Sequence, residues 1–191
     1  MEWVLASQSP RRRELLSRLG LTFRIQVAHT DEVSHAPTPF EVARDLSRQK
    51  ALAVRDQEPH ACIVAADTIV VLDNEILNKP VDAAENRRFI QRLQGREHEV
   101  MTGVTVSTPE KTVSGVEVTR VKFRALSDQE IEWYVNSGEG LDKAGGYGIQ
   151  ELGALLIEGV HGDYFNVVGL PLVRLMHVAH EAGVKLLGEH V

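Results

Sequence analysis

The stretch that most constrains this chain is Glu2-Trp3-Val4-Leu5-Ala6 followed by Ser7-Gln8-Ser9-Pro10-Arg11-Arg12-Arg13. Its first five residues read as a short strand, and Leu15, Leu16 and Leu19 then recur at helical spacing. Ser9 suits the N-cap, and Pro10 suits the first helical position, where a missing N–H does no harm. Three arginines, Arg11, Arg12 and Arg13, therefore fall in the first turn of a helix. That end carries the positive pole of the helix dipole, so each cation costs ~0.3–1 kcal/mol where an acid would gain as much. A cluster that repels itself in this way expects an anion. A polyphosphate would satisfy the dipole, the terminal N–H groups and the guanidinium forks together. The competing reading is a solvated basic turn.

Strand and helix patterns alternate along the rest of the 191 residues. A strand is expected around Phe23–Val27, and a helix from the Thr38-Pro39-Phe40-Glu41 capping box to about Arg55. Ile63–Ala66 and Thr68–Leu72 are strand-like, with a turn at Asp73-Asn74. Asp82 and Glu85 cap a helix to about Leu93, and Val100–Ser107 with Thr112–Phe123 resemble a hairpin. The alternation on Val116 and Val118 slips phase before Val121 and Phe123, which predicts a bulge or bend. Ser127 and Glu130 cap another helix, a glycine-rich stretch follows, Ala154–Val160 reads as a strand, and Pro171 opens a last helix. The class is mixed α/β (α+β).

The chain is 43% hydrophobic and 25% charged, which suits a compact core. Its net charge of −6 argues against bulk nucleic-acid binding, so any basic site must be local. The single Cys62 excludes an intrachain disulfide, and its apolar neighbours make it core rather than nucleophile. No apolar run reaches membrane-spanning length and no signal-peptide pattern opens the chain, so a cytoplasmic protein without a membrane partner is expected. A homodimer is compatible with this composition.

Individual residues carry the chemistry. Asp67 ends one apolar run and precedes another, where a carboxylate is disfavoured unless it is hydrogen-bonded or bound to a cation. Lys50 continues the apolar stripe of Ala43 and Leu46, so it either snorkels or meets a buried anion. Lys79 precedes Pro80 and should be extended. Asp31 and Glu32 are adjacent acids in a polar loop; with Asp67 they could hold Mg²⁺, which takes one or two carboxylates plus phosphate oxygens and water. The glycine-rich stretch matches neither the Walker-A pattern nor the dinucleotide fingerprint, the histidines show no zinc spacing, and no nucleophile–base pair is evident.

Four ordered segments resemble the Maf family of nucleoside triphosphate pyrophosphatases over nearly the whole chain. They are Leu5-Ala6-Ser7-Gln8-Ser9-Pro10-Arg11-Arg12, Ala66-Asp67-Thr68-Ile69-Val70 with Lys79-Pro80, Asp142-Lys143-Ala144-Gly145-Gly146-Tyr147-Gly148-Ile149-Gln150, and Gly162-Asp163-Tyr164 with Val167-Val168-Gly169-Leu170-Pro171. The resemblance implies one Maf-like domain over 1–191 with an elongated, two-lobed fold around a central cleft, related to inosine-triphosphate pyrophosphatases. It implies Asp67 as catalytic proton acceptor and Ser9, Arg11, Arg12, Lys50 and Lys79 as phosphate-binding residues. Glu32, or Asp31 if the loop shifts by one, would join Asp67 in holding a divalent cation, Mg²⁺ or Mn²⁺. Arg11, Thr68 and Gln150 stand at positions that separate substrate branches, and the third segment is similar to the dTTP/UTP-cleaving branch. The implied reaction converts dTTP or UTP to the monophosphate plus pyrophosphate. The rivals are cleavage of 7-methyl-GTP or another modified nucleotide, and a non-catalytic nucleotide-binding regulator of cell division. Arg13 matches no fixed family residue, and Gly146 and Glu151 depart from the common alanine and glycine.

Overall fold

The computed structural model describes residues 1–187. The chain runs β1 (Trp3–Leu5), α1 (Pro10–Ser17), β2 (Phe23–Ile25), α2 (Pro39–Arg55), β3 (Cys62–Leu72), β4 (Glu75–Leu77), α3 (Ala83–Leu93) and β5 (Glu97–Ser107). It continues with β6 (Thr112–Phe123), α4 (Asp128–Asn136), three 3-10 turns (Glu139–Asp142, Ala144–Gly146, Leu152–Leu156), β7 (Ile157–His161), α5 (Tyr164–Val168) and α6 (Leu172–Glu181). The strands follow the order β2-β1-β3-β5-β6-β7, with β4 on β3. β1 is parallel to both β2 and β3, whereas β3–β4 and β6–β7 are antiparallel, so the class is mixed α/β.

The helix starts follow the sequence. Ser9, Thr38, Asp82 and Ser127 each accept from the backbone N–H three residues on, so each removes an orphan donor. Only Ser127 and Glu130 form a complete capping box. At α2 the Glu41 carboxylate instead accepts from the Thr38 hydroxyl at 2.9 Å. Asp73 and Asn74 both take positive φ, 50° and 64°, and so turn β3 into β4 as a tight hairpin.

Two expectations are corrected. Asp67 does not end a strand: Cys62–Leu72 is one continuous strand with Asp67 in its middle, because Lys50 compensates the carboxylate and the backbone has no reason to break. Residues 152–156 turn as 3-10 helix, and the strand expected at Ala154–Val160 begins at Ile157. The phase slip in β6 is present: Val116 is buried, then Thr119, Val121 and Phe123, with a register irregularity against β7 between Lys122 and Phe123.

The chain divides into two compact units. The first comprises Met1–Asp67, Thr102–Glu117 and the chain from Gly169; the second comprises Thr68–Met101 and Val118–Val168. In the first, Val4, Ala6, Ala51, Val54, Ala61, Ile63 and Ala65 form an apolar cluster. Helix α2 lies so close to β5 that a Cβ on Gly103 would collide with the Ala43 carbonyl, and buried Ser47 meets Thr105 hydroxyl to hydroxyl at 2.8 Å. Cys62 is fully buried there, and burial pushes its thiol up to about 12, which agrees with a core role.

The second unit packs Val70, Leu72, Ile90, Leu93, Phe123, Tyr134 and Tyr147 together. His98 is buried among them, its Nε2 at 2.6 Å from the Tyr147 hydroxyl and its ring edge-on to Phe123. Desolvation pulls its imidazole from 6.5 down to about 4. The unfolded chain therefore binds a proton at pH 5 that the folded chain refuses. The contribution of His98 is whole above about pH 6.5 and is lost as the pH falls towards 4. Urea unfolding at pH 7 and pH 4.5 should show His98→Gln losing less stability on acidification than the parent, by on the order of 2 kcal/mol. Equal losses would place the acid sensitivity elsewhere.

Candidate functional site

β1 ends beside a buried small hydroxyl residue, Ser7, whose Oγ accepts from the Ser9 N–H at 3.2 Å. Ser9 in turn caps α1 through the Arg12 N–H. These two serines turn the chain from strand into helix and bring the arginines to the helix start. Arg12 then bends back: its Nε donates to the Gly169 carbonyl at 2.8 Å and its Nη1 to Ser7 Oγ at 3.4 Å. Burial lowers the Arg12 guanidinium, Asp67 and Glu32 oppose that shift, and Arg11 adds to it. Arg11 is half-buried, and Arg13 is exposed on the outer side of the helix.

From α2, Lys50 reaches inward and meets the buried anion. Its Nζ lies 2.6 Å from Asp67 Oδ1 and 3.4 Å from Glu32 Oε1. The Lys50 and Asp67 side chains are only 19% and 11% exposed, so the pair is shielded and is worth more than a surface ion pair. Glu32 takes the left-handed backbone, φ 49°, and this turns its carboxylate to Lys50. Asp31 is 92% exposed, with its Oδ1 3.7 Å from His29 Nε2. The cation cluster is therefore less self-repelling than the arginine run alone suggests, since two acids stand among the bases.

Ser9, Arg11, Arg12, Glu32, Lys50 and Asp67 all belong to the first unit. Thr68, Lys79 and Gln150 belong to the second. Thr68 follows Asp67 in β3 and is half-buried, Lys79 is exposed in the segment after β4, and Gln150 is exposed at a bend.

The donor set suits a hard cation only in part. Among the described residues no group of three or more His, Cys, Asp and Glu side chains could hold a metal. Two carboxylates already converge on one cationic centre, Lys50 Nζ. That fits an ion such as Mg²⁺, which takes few protein carboxylates and fills its shell from phosphate and water. Chemically, the arrangement can hold a polyanion at the arginines and keep one carboxylate fixed beside it.

Sequence reading missed the Gly169 carbonyl and Ser7 Oγ as the groups that aim Arg12. Every residue has a carbonyl, so nothing in the residue type marks Gly169. Ser7 carried a weak signal, being a small hydroxyl residue directly after an apolar strand.

A profile of the family described as Maf-like protein matches residues 2–182. The chain belongs to that family. A dTTP/UTP pyrophosphatase of Deinococcus radiodurans is 49% identical over 185 residues, covering 97% of this chain and 95% of that protein. One from Pyrococcus abyssi is 50% identical, covering 88% and 90%, and one from Thermus thermophilus is 47% identical, covering 95% of each. Among solved structures, the Staphylococcus aureus Ham1 protein has a TM-score of 0.49 and 16% identity, with 64% of this chain and 72% of that one covered. The fold class rests on the strand order and helices above and not on that likeness. No helix among the described residues is long and apolar enough to cross a membrane.

Removing the Lys50 ammonium leaves Asp67 shielded without its closest cation. Lys50→Met should lower unfolding free energy in urea by ~1–3 kcal/mol. The double variant Lys50→Met/Asp67→Asn should lose less than the sum of its single losses. Strictly additive losses would mean the pair contributes nothing to the fold.

Proposed function

We propose that this chain is a nucleoside triphosphate pyrophosphatase that hydrolyses dTTP and UTP to the monophosphate and pyrophosphate. The observation that carries the reading is a shielded carboxylate, Asp67, fixed by Lys50 in the same unit as a capped, arginine-rich helix start. Relatives named for this activity match nearly the full length, which supports the substrate class.

In this reading Ser9, Arg11, Arg12, Lys50 and Lys79 hold the phosphates. Water attacks phosphorus, the α–β anhydride bond breaks, and pyrophosphate leaves with the bonding electron pair. Asp67 takes the proton from the water. Arg12, aimed by Gly169 and Ser7, neutralises charge on the departing group without having to reorganise. Glu32 and Asp67 would hold a divalent cation, which supplies further charge neutralisation at phosphate oxygens when bound. Arg11, Thr68 and Gln150 select the base. A uracil or thymine edge offers an N3–H donor flanked by carbonyls, and the Gln150 amide can both donate and accept there. The chain acts as one pyrophosphatase domain in the cytoplasm, in keeping with the free, buried Cys62.

A panel of nucleoside triphosphates assayed for pyrophosphate release with Mg²⁺ or Mn²⁺ tests this directly. dTTP and UTP should be the best substrates, and failure to cleave either would end the proposal. Asp67→Asn, which removes the charge while nearly conserving shape, should lower kcat by about a hundredfold or more while nucleotide still binds. Parental turnover in that variant would remove Asp67 as the base. Gln150→Glu should cut kcat/KM for UTP by about tenfold or more relative to 7-methyl-GTP, because a carboxylate only accepts and suits a guanine N1–H and amino group. An unchanged ratio would take Gln150 out of base recognition.

A further inference from the structure

A second carboxylate organises the loop that carries Gln150. Glu139 opens the first 3-10 turn after α4. Its Oε1 accepts from the Gly153 N–H and from the Tyr134 hydroxyl, each at 3.1 Å, and its Oε2 accepts from the Leu152 N–H at 2.9 Å. The same Tyr134 hydroxyl accepts from the Gly148 N–H at 3.1 Å. Backbone on both sides of Gln150 is thus tied to one buried tyrosine and one carboxylate.

The neck of this loop is closed tightly. A Cβ on Gly153 would collide with the Gly148 carbonyl, so the chain at 148 and at 153 touches backbone to backbone. A Cβ on Gly148 would lie 2.7 Å from the Lys143 side chain, and Lys143 Nζ donates to the Glu139 carbonyl at 2.8 Å. Between these fixed points Gln150 stands exposed. Without these ties the backbone at 148–153 would be mobile; here it is anchored on both sides of Gln150.

We propose that Glu139, acting with Tyr134, is a positioning residue for base selection: it sets the 148–153 loop and so the orientation of Gln150. This rests on the reading of Gln150 as the base-recognising residue. A glutamine at 139 has one carbonyl oxygen in place of two carboxylate oxygens, and its NH₂ would face a backbone donor, so it serves only in part. An alanine serves not at all.

The test is a cycle over E139A, E139Q, Q150A and E139A/Q150A. For each, kcat and KM for UTP are measured together with the inhibition constant of inorganic pyrophosphate. E139A should raise KM for UTP by about tenfold with kcat less affected, and the pyrophosphate constant should stay within about twofold. E139Q should fall between E139A and the parent. In the Q150A background, E139A should add less than about threefold. Amide exchange at Leu152 and Gly153 should speed up in E139A, whatever the substrate. A full extra loss in Q150A, or equal loss of UTP and pyrophosphate binding, overturns the proposal. So does an E139Q protein that fails to fold. A parent enzyme that cleaves neither UTP nor dTTP refutes the pyrimidine reading itself. A parent that cleaves them but gives an additive cycle refutes only the role of Glu139.

Discussion

An ionised carboxylate in the middle of an apolar strand must find a cation, and here the cation comes from helix α2. Lys50 Nζ at 2.6 Å from Asp67 Oδ1 is the contact on which the first unit's arrangement hangs. It lets β3 run unbroken through Asp67, so the strand pairs with β1 on one side of that residue and with β4 on the other. Glu32, though largely exposed, shares the same ammonium at 3.4 Å. It also fixes where α2 faces, because a lysine with a shielded partner costs less than one stretched to solvent.

What the sequence made legible was local. Serine, threonine and aspartate caps predicted four helix starts, and Asp73-Asn74 predicted the hairpin turn, because each acts within three residues of itself. The inward face of Lys50 was readable from its spacing to Ala43 and Leu46. What stayed hidden depends on distance in space. The Asp67–Lys50 pair spans 17 positions, and the Arg12–Gly169 bond spans 157. No periodicity encodes either. That Glu32, and not Asp31, lies near Lys50 goes with a single left-handed residue, and the identity of neighbouring acids does not announce it.

Glycine is conformationally permissive, yet the glycine-rich segment is held closely. Gly145 and Gly146 take φ of 72° and 79°. A Cβ on Gly146 would meet the Asn86 amide, whose Nδ2 donates to the Gly146 carbonyl at 2.8 Å. The departure from alanine at that position therefore has a steric and conformational reason in this chain. Glu151 sits exposed next to Gln150, so the extra acid changes the charge around that residue without entering the core.

Neither unit is a continuous stretch of chain. Strands β3, β5 and β6 pass from one to the other at Asp67–Thr68, Met101–Thr102 and Glu117–Val118. The first unit needs residues from both ends of the sequence, and Arg12 is aimed by a carbonyl that is translated 157 positions after it. During synthesis, then, the helix start can form early, but its guanidinium has no Gly169 to bind until that later residue has left the ribosome. A truncated or stalled product would carry the arginine cluster without the contact that aims Arg12, so the working geometry is a property of the finished chain.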